Sequence, residues 1–158
     1  MITVLHTLDI LFFILTSAAV LYLLIFALLA QRKKPEPYPL ARKQHRVLVL
    51  FPAYKEDKVI VESVRSFLEQ EYPRELYRVV VVSDKMQPET DEALKQLPVE
   101  LINARFENSS KAAALNLAIE QQGDREYDIV TIMDADNIAA PDFLQKINDA
   151  YDFGIQAI

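Results

Sequence analysis

The sequence predicts an α/β protein: an N-terminal transmembrane helix, then a mostly parallel sheet with flanking helices. Three observations carry this. Ile10 to Ala30 runs 21 residues without a charge. After it, β-rich runs and helix-period segments alternate in the order β-α-β-α-β-α-β-α. Finally, Val79–Val82 is apolar at both parities, as in a strand covered on both faces.

The apolar run, as a helix, would span about 31 Å, matching a hydrocarbon core of about 30 Å. A cleaved signal peptide fits less well, because MITVLHTLD has no basic residue and the apolar core is too long. Asp9 precedes the run and Arg32, Lys33 and Lys34 follow it, so the positive-inside rule puts the rest of the chain in the cytoplasm, attached to the cell membrane. The basic stretch serves topology, and anionic headgroups are its second possible role. The stiff PEPYP segment (Pro35 to Pro39) reads as a spacer. The expected organisation is a 1–30 anchor, a 31–45 basic, Pro-rich linker and an incomplete α/β domain over 46–158.

Within that domain, Arg46–Phe51 is the first strand, stopped by Pro52. Lys58–Gln70 places Ile60, Val61, Val64, Phe67 and Leu68 at helical spacing, with Asp57 as expected N-cap. Tyr77–Ser83 is the second strand and Glu89–Leu97 a short helix ended by Pro98. Val99–Ala104 is the third strand, and Ser110–Gln121 a helix closed near Gly123. Asp128–Met133 is the fourth strand, and Pro141 opens a last helix. Gly154–Ile158 resembles the start of a further strand.

Composition narrows the chemistry. There is no cysteine, which excludes disulfides, thiolate metal sites and a Cys nucleophile. Two glycines are too few for a Gly-rich dinucleotide or triphosphate loop. The net charge is −6, yet residues 31–46 hold six basic side chains against Glu36, and residues 1–30 only Asp9, so 47–158 carries −10. Such a domain is no partner for nucleic acid, and repels phosphate unless a cation intervenes.

In open parallel sheets, ligands bind beyond the carboxyl ends of the strands. There the sequence puts Pro52-Ala53-Tyr54-Lys55-Glu56, then Asp84, then Asn108-Ser109-Ser110-Lys111 at a helix start, then Asp134-Ala135-Asp136. Each has a plain alternative. Tyr54 stacks on a base or packs under the sheet. Asp84 accepts from the N–H of a base or ends a strand. Lys111 meets an anion at a helix N-terminus or is solvated. Asp134 and Asp136 share a hard cation, Mg²⁺ or Mn²⁺, or form a turn cluster before Pro141. Together they describe a metal-bridged diphosphate site.

These residues resemble the family 2 glycosyltransferases. The first strand with Pro52-Ala53-Tyr54-Lys55-Glu56 is similar to that family's P-A-Y-N-E turn, with Lys55 for Asn. VVVVSD (Val79–Asp84) resembles its acid-ended second strand, with Ser83 for the first acid. Ser110-Lys111-Ala112-Ala113-Ala114-Leu115-Asn116 resembles G-K-A-x-A-L-N, with Ser110 for Gly. Asp134-Ala135-Asp136 matches the D-A-D metal motif. The resemblance implies the A-type nucleotide-sugar fold, here its truncated, Rossmann-like donor half. It implies a nucleoside pocket of Pro52, Ala53, Tyr54, Glu56 and Asp84, with Lys111 near ribose and phosphates. Asp134 would face ribose or sugar, and Asp136, with Asp134, the metal.

The implied reaction is metal-dependent, inverting sugar transfer from a nucleotide-diphosphate sugar, a UDP-sugar foremost, to an unidentified acceptor. The general base and acceptor half are expected beyond Ile158, so the chain alone would bind donor without transferring it. A non-catalytic nucleotide-sugar-binding membrane module is the alternative. A nucleotidyltransferase is disfavoured, because Pro52-Ala53-Tyr54 stands where a Gly-rich basic loop would be needed.

Overall fold

In the computed structural model, residues 2–30, 37–123 and 125–156 are described. The chain divides into two compact units, Met1–Pro37 and Tyr38–Ile158. The first contains helix α1 (Ile2–Ala30), 29 residues long and without a buried side chain. It starts eight residues before the uncharged run and is long and apolar enough to cross a membrane. Two of its hydroxyls bond within the helix, Thr7 to the Thr3 carbonyl and Thr16 to that of Phe12, both at 2.9 Å. Arg32, Lys33, Lys34 and the first half of the PEPYP spacer lie outside the described residues.

The second unit has β1 (Val47–Tyr54), α2 (Ile60–Phe67), a 3₁₀ turn at Arg74–Leu76 and β2 (Tyr77–Asp84). Next come α3 (Pro88–Lys95), β3 (Glu100–Ala104), α4 (Lys111–Gln122), β4 (Ile129–Ile132) and α5 (Phe143–Asp152). All pairings are parallel and the order is β3-β2-β1-β4. Successive strands run outward from β1 to β3, and the chain then returns to β1's other side for β4. The order therefore reverses between β1 and β4, which makes a crevice at their carboxyl ends.

Both faces of β1 and β2 are covered, as the Val79–Val82 run requires, while Val130 and Ile132 leave the same face of β4 exposed. Val47, Val49, Phe51 and Ala53 of β1 pack with Ile60, Val64 and Phe67 of α2, Leu94 of α3 and Leu144 of α5. The Phe67 ring stands edge-on to Phe51 at 5.5 Å and to Phe143 at 6.1 Å. The opposite parity, Leu48, Leu50, Val80 and Val82, packs on Ala114 and Ala118 of α4. Small α4 residues let that helix sit close to the sheet.

Four local expectations change. Pro52 does not stop β1, which continues to Tyr54. Pairing with β4 ends at Leu50, whose carbonyl accepts from Met133 N–H at 2.9 Å. Pro52 shares Leu50's parity, so its missing N–H falls on the side where no neighbour remains. Asp57 does not cap its own helix: α2 begins after Val59 with no side-chain cap. Instead Asp57 accepts from Gln87 N–H (2.8 Å) and Thr90 Oγ1 (2.7 Å) at the start of α3. These bonds hold its carboxyl below the usual aspartate range. Pro141 lies two residues before α5, and Asp142 takes the N-cap. Ile155 and Gln156 form no strand, while 157–158 lie outside the described residues.

Residues 38–45, read from sequence as linker, pack in the second unit. Ala41 N–H donates to Asp149 and Arg42 N–H to Asp152, each at 2.9 Å. His45 N–H donates to Asn148 Oδ1 at 2.9 Å, and Asn148 Nδ2 to the Lys43 carbonyl at 3.0 Å. Tyr72 Oη donates to the His45 carbonyl at 2.8 Å. The His45 ring sits between Asp128 (3.6 Å) and Asp152 (3.4 Å).

Candidate functional site

Strand parity decides which side chains meet beyond the carboxyl ends. Tyr54 and Asp84 are register partners and share the parity that faces α4. α4 begins there, with Ser110 Oγ accepting from Ala113 N–H at 3.1 Å as its N-cap. Ser110, standing where a glycine was expected, thus performs a capping role that glycine cannot. Pro52, Ala53, Tyr54, Glu56, Asp84 and Lys111, all named from sequence, line one pocket of about 260 Å³ with Ser109, Ser110 and Ala114.

Asp84 is the most informative member. It is 3 % exposed, and its Oδ1 is buried with no hydrogen-bond partner. A buried acceptor left unpaired costs about 1–3 kcal/mol, so it marks a place where a donor from outside is expected. The Ser109 hydroxyl is likewise buried and unpartnered. Ser83, in place of an acid, donates to Asp91 Oδ1 at 2.5 Å, while Asn103 Nδ2 donates to Asp91 Oδ2 at 2.6 Å. An ionised carboxylate at residue 83 would confront Asp91 instead of bonding it.

Two residues give the pocket mouth an unusual backbone. Lys55 and Lys85 directly follow β1 and β2, and both are left-handed, at φ 55° and 56°. Lys55 N–H donates to the Asp84 carbonyl at 3.3 Å, tying the two turns together. Their ammonium groups lie 5.2 and 5.7 Å from the centre of the Tyr54 ring, within cation–π range. Tyr54 itself is 45 % exposed, so it does not pack under the sheet. Lys85 was missed from sequence, although it occupies the same place after β2 that Lys55 occupies after β1. Ser109 offered no signal, because only tertiary packing buries it.

The aspartate pair follows β4. Ala135 between them is buried, while Asp134 and Asp136 are exposed. Asp134 shares the α4-facing parity and forms an ion pair with Lys111. Both partners are more than half exposed, so the pair adds little stability. No group of three or more His, Asp or Glu capable of holding a metal occurs among the described residues. Two carboxylates are nevertheless chemically suited to Mg²⁺ or Mn²⁺, which take oxygen ligands and leave other positions to phosphate and water.

The model of the family described as "Glycosyl transferase family 2" matches residues 48–155. No match was found among curated proteins. Among solved structures, the chain is similar to the mannosyltransferase PcManGT of Pyrobaculum calidifontis, in complex with GDP-Man and Mn²⁺. The TM-score is 0.62 at 30 % identity, over 85 % of this chain and 41 % of that one. It is also similar in fold to residues 1–349 of TarS from S. aureus. There the TM-score is 0.57 at 24 % identity, over 68 % of this chain and 32 % of that one. The chain thus spans less than half the length of these structures. With the family pattern running through β1, β2, α4 and the turn after β4, this chain belongs to glycosyl transferase family 2.

Proposed function

We propose that the chain is the donor-binding part of a membrane-anchored glycosyltransferase, which passes a sugar from a nucleotide-diphosphate sugar to an acceptor with inversion. The observation that carries this reading is the orphaned Asp84 Oδ1 in a pocket that also holds Tyr54 and Lys111. Asp84 accepts from an N–H of the base, and Tyr54 borders it. Lys111 and the α4 N-terminus meet the phosphates, where the helix dipole favours negative charge. Asp134 and Asp136 offer carboxylate oxygens to a divalent cation. When bound, that cation neutralises the departing diphosphate in a domain that would otherwise repel it. The exposed Lys111–Asp134 pair is weak enough for phosphate and cation to divide it between them.

The PcManGT complex with GDP-Man and Mn²⁺ supports the donor class and the metal, and leaves uridine and guanosine donors both in play. α1 acts as the anchor, and Arg32, Lys33 and Lys34 keep the α/β domain cytoplasmic. The test is titration of the detergent-solubilised chain with UDP and GDP, with and without Mn²⁺. One nucleotide should bind only with the cation, and Asp136→Ala should weaken it at least tenfold, about 1.4 kcal/mol. Equal binding without metal would refute the bridge.

A further inference from the structure

The opposite end of the sheet carries a different chemistry. Four of the chain's eight arginines, Arg46, Arg74, Arg78 and Arg125, line one open depression of about 760 Å³ at the amino ends of the strands. They come from distant parts of the sequence, and only the fold gathers them. Their charge is incompletely matched. Arg78 and Arg125 share a single carboxylate, Glu100, at 2.8 and 3.3 Å. Arg74 donates to the main-chain carbonyls of Tyr77 and Pro98 and lies over the Tyr77 ring at 4.7 Å. Among the described residues, no carboxylate forms an ion pair with Arg46. Glu75 and Glu126 also line the depression, so among the described residues it holds four cations to three anions, inside a domain of net charge −10 over 47–158.

In sequence, Arg46 of the depression closes a basic run. Between Ala30 and Val47 the chain carries Arg32, Lys33, Lys34, Arg42, Lys43 and Arg46 against Glu36 alone. That run joins the apolar helix to β1 in sequence, over residues 31–46, of which 38–45 pack in the second unit. Arginine's planar fork suits phosphate oxygens, and basic clusters beside a membrane helix attract anionic lipid.

We propose that this arginine-lined amino end is a docking surface for anionic phospholipid headgroups, leaving the carboxyl-end pocket facing solvent. It rests on α1 spanning the bilayer, and the two readings fail in different ways. The chain has no cysteine, so Pro98→Cys at the depression and Asn137→Cys at the far end each give one labelling site. Each labelled full-length chain is reconstituted in vesicles of phosphatidylcholine alone or with about 30 % phosphatidylglycerol, both carrying a headgroup quencher.

Quenching at residue 98 should rise about twofold with the anionic lipid, while that at 137 stays constant. High salt, or Arg46→Gln with Arg125→Gln, should return it to the neutral-lipid level. The same quenching in both lipids, in chains that float with the vesicles, would overturn the docking surface alone. Chains that float with neither lipid would overturn the span and the docking together.

Discussion

The two ends of the sheet solve opposite problems. At the amino end, the chain entering β1 is fastened by main-chain N–H donors: Ala41 on Asp149, Arg42 on Asp152, His45 on Asn148 and Arg46 on Asp128. At the carboxyl end, Asp84 Oδ1 and Ser109 Oγ are buried without partners, and two lysines hold left-handed backbone. One end completes its main-chain hydrogen bonds and supports stability, although His45 Nδ1 is buried there without a partner, 3.6 Å from Asp128. The other leaves them open, as a site awaiting a ligand does. Substitutions at the two ends should therefore separate stability from binding.

The largest effect is expected at the fastened end. Asn148 is fully buried and serves His45, Tyr72 and Lys43 at once. Asn148→Ala strands several buried groups, and a loss of about 2–3 kcal/mol in urea unfolding is expected. Nucleotide affinity, measured well below the melting point, should not move. A comparable loss of affinity would mean that the two ends are coupled.

Asp84→Ala makes the converse claim. It removes an acceptor that has no partner in the folded chain, so thermal stability should be unchanged or slightly raised. Nucleotide affinity should fall about tenfold, the size of one hydrogen bond to a charged acceptor. Unchanged affinity with lowered stability would make Asp84 an ordinary strand-end residue.

The same contrast explains what was legible. Strands buried on both faces announce themselves by composition, as in Val79–Val82, because burial demands apolar atoms at every position. The carboxyl-end residues were legible because a parallel sheet sends every strand end to one rim. What escaped was decided by partners distant in sequence. Asp57 reads as a local cap, yet its donors are Gln87 and Thr90. Pro52 reads as a stop, yet the neighbour it would have failed has already ended. Residues 38–45 read as a linker because the acceptors holding them lie on α5 and β2's approach, far along the chain.

Acid should loosen the fastened end by a smaller amount. Arg46 N–H, then the nearby His45, holds the Asp128 carboxyl below its ordinary value, and Arg42 N–H does the same for Asp152. An aspartate depressed on folding binds fewer protons folded than unfolded. Its contribution is therefore complete above the unfolded value of about 3.9, and is lost as pH falls through the lower folded value. Urea midpoints should fall over that acid window. Asp128→Asn should flatten part of the slope, at a cost under about 1 kcal/mol at neutral pH because its side chain is 36 % exposed. A slope unchanged in this variant would assign the acid sensitivity elsewhere, with Asp57 next in line.

The smallest effect tests the left-handed lysines themselves. A lysine at φ 56° costs roughly 1 kcal/mol of backbone energy, which asparagine tolerates better. Against that, Lys85→Asn removes an exposed ammonium–ring contact with Tyr54, worth about 0.5 kcal/mol. The expected balance is a gain of about 0.5 kcal/mol in urea unfolding. Lys55→Asn should behave alike, since its angle and ring contact are nearly the same. If either variant instead loses stability, the lysine–tyrosine contact organises the turn rather than merely bordering it. The strain would then belong to the packing of this end, not to its readiness for a ligand.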